Sequence, residues 1–349
     1  MMKPKYQLLY TRIVVLLCLS ACACSSQKSF SGNGLPAWAD HPGKAYDENE
    51  YLLAVGSGNT LKEAHDDALG NLARIFRADI NASQELIDEF IETSRNDEFS
   101  SEQTTQLLNV TRIGSSQNLM NTRILESEVA GNGTYYALAG MNRSKTASMY
   151  NQEISHNELK INEYETNAEQ EADPLQSLIL LKKALVFAEV NENLSRQRSI
   201  LLGRAAGSEL NTMALTRIQE KLRIIKQQVP VSIQSTSATE TILSAIALAF
   251  QQEGFTIDVH SREPILEVTV DYHSQKAELN RDGHEFVKWE LIVNIVNNQS
   301  GQSLTSFLTE GRDGAYSYSD ALKRADFSAR KEIGSSFKKF LKQELLTLK

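Results

Sequence analysis

The sequence predicts an α+β protein, with two small strand–helix–sheet domains separated by an all-helical segment. Three observations predict it. Apolar or alternating runs at 51–55, 121–143 and 265–310 have strand character and are bounded by turn residues. The stretch 150–229 has almost no glycine or proline and is rich in Glu, Gln, Leu, Ala and Lys, a helical composition. Strand-to-helix transitions with capping residues recur near Thr60, Ser237 and Ser317. The expected domains are a signal peptide over 1–21, a flexible tether over 22–35, an α+β domain over 36–150, a helical segment over 151–229 and a second α+β domain over 230–349.

The first segment reads as an export signal. Lys3, Lys5 and Arg12 precede an apolar core from Ile13 to Leu19. That core is far shorter than the roughly 20 residues needed to span a bilayer, and it fits a signal core. Leu19-Ser20-Ala21-Cys22 resembles the lipobox of bacterial lipoproteins. The resemblance implies that the Cys22 sulfur receives a diacylglycerol, that cleavage falls before Cys22, and that the new N-terminus is acylated. The alternatives are an ordinary secretory signal cut after Ala21 or Ala23, and lipidation at Cys24. Ala21-Cys22-Ala23 lacks the large apolar residue that Leu19 supplies to Cys22. Cys18 lies in the apolar core and leaves with it. Ala23, and not the Asp that resembles an inner-membrane retention signal, follows Cys22, so the outer membrane is the expected address.

These three are the only cysteines in 349 residues, so the body has no internal disulfide and its stability comes from burial. Removing the signal takes three basic residues and no acidic one, so the net charge of −8 becomes −11. A net negative body argues against bulk nucleic-acid binding. The lipid is the only membrane anchor expected, and two or three acyl chains suffice for stable attachment.

Within the body, "SSQKSFSGNGL" is a Ser/Gly-rich tether and "PAWADHP" follows it. Tyr51–Val55 suits a buried strand, Gly56-Ser57-Gly58 a turn, and Thr60 with Glu63 a capping box. The next helix places Ala64, Ala68, Leu72, Ile75 and Phe76 on one stripe. "ELIDEFIETS" fits either helix or strand, and 93–106 reads as a polar loop. "NTRILESEVA" and "TYYALAGMNR" are strands joined at Gly131-Asn132-Gly133, a strong hairpin signal.

Three or four helices are expected in the middle. Asp173 at the N-cap and Pro174 at N1 open one, with Leu178, Leu181, Ala184, Leu185 and Ala188 as its buried stripe. Gly207-Ser208 marks a break before the last. The segment resembles a helical hairpin insert or stalk; a tetratricopeptide-like arrangement is the alternative, although no 34-residue period is present.

The second α+β domain opens at Pro230 with a strand over Val231–Gln234. A capping box at Ser237–Glu240 follows, then a helix carrying Ile242, Ala245, Ile246 and Ala249. Strands are expected at 255–260, 265–273, 286–296 and 302–310. Val287, Trp289, Leu291, Val293 and Ile295 alternate with polar residues, the period of a sheet buried on one face. The final helix, from about Ser319, repeats the spacing of the first. Thr60, Glu63, Ala64 and Ala68 match Ser317, Asp320, Ala321 and Ala325, which suggests two related units. From Ala321 to Lys349 the charge is +5, with Ile333, Phe337, Phe340, Leu341 and Leu345 on the apolar stripe. Lys338, Lys339 and Lys342 on its basic face are candidates for contact with an acidic lipid, glycan or protein.

No catalytic constellation emerges. His41, His65, His156, His260, His273 and His284 show no paired metal-ligand spacing, so no metal or cofactor is expected. Gly56-x-Gly58-x-x-Leu61 sits where a dinucleotide fingerprint sits, but Leu61 replaces the third glycine. The residues "PAW", "YLLAVGSGNTLKEAHDDAL" and "GTYYALAGMNRSKTA" resemble the LPP20 family of bacterial lipoproteins, over 36 to about 150. The same domain type resembles the N-terminal part of FlgT-like flagellar assembly proteins. The resemblance brings no catalytic residue with it. The expectation is a non-enzymatic, lipid-anchored outer-membrane protein, with its body in the periplasm or at the cell surface. Its expected partners are the membrane, through the lipid, and envelope proteins or peptidoglycan, with no nucleic acid. The alternatives are an accessory factor for flagellar or other envelope-machine assembly, and a peptidoglycan-related enzyme or ligand-binding protein.

Overall fold

The computed structural model describes residues 34–77, 119–203, 209–258, 264–278 and 283–344. The signal peptide, Cys18, Cys22, Cys24, "ELIDEFIETS", the polar loop after it, Gly207-Ser208, His260 and Leu345 lie outside these residues. The chain is α+β, as the alternation of strand and helix patterns predicts. It divides into two compact units, one of residues up to Leu72 with Thr122–Asn142, the other of Ala73–Asn121 with Arg143–Lys349.

The first unit holds a one-turn helix Ala37–Asp40, strand β1 (Tyr51–Gly58), the start of helix α1 (Leu61–Arg77), β2 (Arg123–Val129) and β3 (Tyr135–Asn142). Its antiparallel sheet has the order β1-β3-β2. Gly133, at a φ of 84°, turns the β2–β3 hairpin. The central strand β3 buries Ala137, Leu138, Ala139 and Met141 completely.

One correction concerns Gly56-Ser57-Gly58, which is the end of β1 and not a turn. A Cβ on Gly56 would lie 2.1 Å from the Ala68 backbone nitrogen, and one on Gly58 2.5 Å from the Glu63 Cβ. The two glycines and the two alanines Ala64 and Ala68, both fully buried, let α1 lie almost backbone-to-backbone on β1. Thr60 caps α1 by accepting from the Glu63 amide at 3.2 Å, while the Glu63 carboxylate accepts from Asn59 N–H, one residue before the cap. Leu72 and Phe76 are buried as the stripe requires, but Ile75 is 38% exposed.

From Arg143 the second unit runs through the helices α2 (Arg143–Gln170), α3 (Pro174–Leu201) and α4 (Glu209–Gln227) before its sheet. Asp173 caps α3 through Leu175 N–H at 2.9 Å, with Pro174 in its first turn. Helix α3 is buried on nearly every side and not along one stripe: Leu178, Leu181, Ala184 and Ala188 are buried, and so are Val186, Phe187 and Val190. The five-stranded sheet follows, with β4 (Pro230–Gln234), α5 (Glu240–Gln252), β5 (Thr256–Ile257), β6 (Leu266–Ala277), β7 (Glu285–Asn297) and β8 (Gln302–Ala315) in the order β5-β4-β6-β7-β8. β4 runs parallel to β5 and β6, and β6-β7-β8 is an antiparallel meander. The alternation in β7 holds, with Val287, Trp289, Leu291, Val293 and Ile295 all buried.

The cap of α5 is Thr239, whose hydroxyl accepts from Ile242 N–H. The box expected at Ser237–Glu240 does not form, because the Ser237 hydroxyl accepts from Tyr272 N–H on β6 instead. Helix α6 (Tyr318–Glu332) is capped by Ser317, which accepts from Asp320 N–H at 3.1 Å. A π-helical turn, Ile333–Phe337, leads into α7 (Lys338–Glu344). Ala321, Ala325, Ala329, Ile333, Phe337 and Leu341 are all buried, one every fourth residue. Each such step overshoots a 3.6-residue turn by about 40°, so the row drifts around a straight helix. The wider π turn takes back part of the drift and keeps Phe337 against Phe250 and Phe307, at ring separations of 6.1 and 5.3 Å. The resemblance between α1 and α6 marks a shared packing mode: α1 follows the first strand of its sheet and α6 the last strand of its own.

Candidate interaction surfaces

Strand β1 is an edge of the first sheet, and α1 covers its backbone. Asp67 accepts from Ser57 N–H at 3.0 Å, and the Asn71 amide donates to the Val55 carbonyl at 2.8 Å. Side chains thus satisfy an edge that would otherwise recruit another strand. At the opposite edge, Tyr46 donates to Glu126 at 2.8 Å, and the His65 ring nitrogen lies 2.8 Å from the Ser127 hydroxyl. The hydrogen bond to Glu126 and burial raise the Tyr46 pKa. The Ser127–His65 pair is not part of a triad through Asp67, whose carboxylate is engaged on β1. Gly56 and Gly58 are closed by α1, so the glycine pair has no room for a phosphate.

In the second unit the helices are tied by polar contacts in mostly apolar surroundings. Burial would raise the Glu165 pKa, but hydrogen bonds from Arg217 and Lys221 outweigh it and hold the carboxyl below its ordinary value. Arg217 grips it with two nitrogens at 3.0 and 2.6 Å, and Lys221 reaches both Glu165 at 2.9 Å and Glu169 at 2.7 Å. Asn157 and Asn191 pair between α2 and α3, the Asn157 amide donating to Asn191 at 2.8 Å. Arg143 donates to the Leu201 carbonyl at the C-terminal end of α3, where a cation suits the helix dipole. Beside the Glu165 network an open groove of about 360 Å³ lies among Ala168, Ser177, Leu181, Lys221, Ile224 and Gln228.

A lysine cluster surrounds the C-terminal end of α5. Lys226 donates to the Glu253 carbonyl at 2.8 Å, Lys342 lies 4.0 Å from the Glu253 carboxylate, and Lys338 donates to Gln252 at 2.9 Å. Lys182, buried on α3, belongs to the same cluster. Burial and the neighbouring Lys226 push its pKa well below the ordinary lysine value, with Glu253 opposing. Burial likewise lowers Lys226, against the pull of Glu253. Two of the three basic side chains expected to face an outside partner, Lys338 and Lys342, are therefore turned to α5, and Lys339 alone of the three has no such contact and is exposed. Periodicity missed Lys182, although two lysines inside the apolar run "LILLKKALVF" are its visible trace.

Among the described residues no group of three His, Cys, Asp or Glu side chains is placed to hold a metal, and no helix is long and apolar enough to cross a membrane. The His284 and Tyr316 rings pack at a tilt of 38°, with centroids 4.7 Å apart.

The family model of LPP20 lipoproteins matches residues 36–142. These residues form an LPP20 domain. The match ends at Asn142, the last residue of β3, and Arg143 opens α2. The chain is similar to the secreted protein HP1454 from Helicobacter pylori, with 15% identity over 85% of this chain and 98% of that one and a TM-score of 0.38. It is also similar to a minor lipoprotein from Acinetobacter baumannii, with 9% identity over 34% of this chain and 91% of that one and a TM-score of 0.26. No curated protein matches the chain.

Proposed function

We propose that this chain is a lipoprotein of the bacterial outer membrane, anchored by lipid on Cys22, whose body serves as a non-enzymatic interaction scaffold in the envelope. One observation carries the reading: a lipobox-like Leu19-Ser20-Ala21-Cys22 stands shortly upstream of an LPP20 lipoprotein domain. The confinement of every cysteine to residues 18–24 agrees with it, since the body itself carries no thiol. The polar clusters also support a scaffold. The Glu165 network and the lysines around α5 join helices to one another. Cys24 is the second candidate for the lipid.

Metabolic labelling with a fatty-acid probe tests the anchor. The parent chain takes up label and Cys22→Ala does not; label that persists in Cys22→Ala moves the lipid elsewhere and overturns the assignment. Crosslinking in whole cells, with partners identified by mass spectrometry, tests the scaffold. Recovery of envelope proteins or peptidoglycan fragments is expected, and their absence counts against this role.

A further inference from the structure

Among the described residues β8 forms the free edge of the five-stranded sheet, and it is 14 residues long. Near its end Arg324 donates to the Gly314 carbonyl, which keeps a second lone pair. The solvent face near this edge carries four charges in an unfavourable order. The β7–β8 register sets Lys288 opposite Arg312 and Glu290 opposite Glu310, like charge against like. The diagonal Lys288–Glu310 pair, 2.7 Å long, relieves part of this. Among the described residues Arg312 makes no ion pair.

The edge sequence is self-complementary about Gly311. If two β8 strands run antiparallel with Gly311 facing Gly311, Glu310 of each copy stands opposite Arg312 of the other. Each like-charge row then continues into the opposite sign across the seam. The same register sets Leu308, 61% exposed, opposite Gly314, whose empty side is covered by the Phe286 ring 2.5 Å from where a Cβ would be. Gly311 is filled in the same way from within its own sheet by Trp289.

We propose that β8 pairs antiparallel with β8 of a second copy of this chain, in the register centred on Gly311, so that two five-stranded sheets become one continuous sheet. The inference does not depend on the lipid anchor, because nothing in the seam involves the N-terminus.

The test uses the full chain purified in detergent. Glu310→Cys and Arg312→Cys variants are oxidised separately and as an equal mixture, with the parent chain as control for its own cysteines. The mixture is expected to give a crosslinked dimer roughly tenfold above either variant alone, because only unlike positions face each other. Equal crosslinking in all samples, or none above the parent, overturns the register. Charge reversal gives the second reading. Glu310→Arg and Arg312→Glu each lower the dimer fraction, by roughly tenfold in association constant, and the double exchange restores it. A parent chain that is monomeric by light scattering, or a double exchange that restores nothing, overturns the proposal, as does capture of the edge by another protein only. Far-UV circular dichroism confirms that each variant is folded, and Cys22→Ala in the same assay dimerises like the parent.

Discussion

At Gly56 the missing side chain is itself the packing feature. The Ala68 nitrogen occupies the space where a Cβ would go, and neither atom belongs to a flexible side chain that can swing away. Gly56→Ala therefore forces α1 off the sheet and lowers stability by about 1–3 kcal/mol, read as a drop in the urea midpoint. Lys182 shows the opposite problem, a charge held where water is scarce. Its folded pKa is lowered, so below that value the folded state bears the full cost of burying the ammonium. As pH rises from the folded value toward the unfolded one of about 10.4, the unfolded chain holds more protons and stability increases. Lys182→Met is expected to raise stability at pH 7 by about 1–2 kcal/mol, read as a rise in the urea midpoint, and to flatten that alkaline rise. A midpoint unchanged or lowered across pH 7–10 contradicts this account.

Among the elements, α2 and α4 depend on one carboxylate. Glu165 is buried while Arg217 is half-exposed, so the pair gains from two charge-assisted hydrogen bonds but is partly screened. Glu165→Gln is expected to cost about 1–3 kcal/mol at pH 7. The depressed carboxyl stabilises the fold above the unfolded value of about 4.3, and that stabilisation is lost as pH falls through the folded value. Parent and Glu165→Gln midpoints should therefore converge on acidification, and curves that stay parallel from pH 7 to pH 3 would show that the pair is not the source. The helix starts at Asp173 and Ser317 were legible because a cap is a local signal. The cap at Thr239 was not, because Ser237, two residues earlier, is drawn away by an amide 35 residues along the chain.

For the molecule as a whole, the net charge of −8, the single thiol cluster and the LPP20 match all concern where the chain sits and how it is held. If lipid on Cys22 is the only attachment, Cys22→Ala moves the body from the membrane pellet to the soluble fraction after cell lysis, with little change in its stability. Retention of most of the variant in a salt-washed pellet would require a second means of attachment. The LPP20 resemblance was legible over 36 to about 150 in "PAW", "YLLAVGSGNTLKEAHDDAL" and "GTYYALAGMNRSKTA", and the family model matches residues 36–142. The lysine cluster was not, because Lys182, Lys226, Glu253 and Lys342 are spread over 160 positions and meet only at the end of α5.

The sequence by itself determined the α+β class, the hairpin at Gly131–Gly133, the buried alternation of β7, the capped starts of α1, α3 and α6, and the cysteine-free body. Each depends on neighbours within a turn or a strand, or on composition alone. Tertiary structure decided that Gly56 and Gly58 belong to a strand under a helix, that α3 is buried all round, that a π turn re-aims the last helix, and that Lys338 and Lys342 turn toward α5. It also set which charges face each other across β7 and β8. Local pattern fixes which face of an element is apolar, but not what is laid on that face. The side-chain volumes and charges of distant residues settle that, once the chain has brought them together.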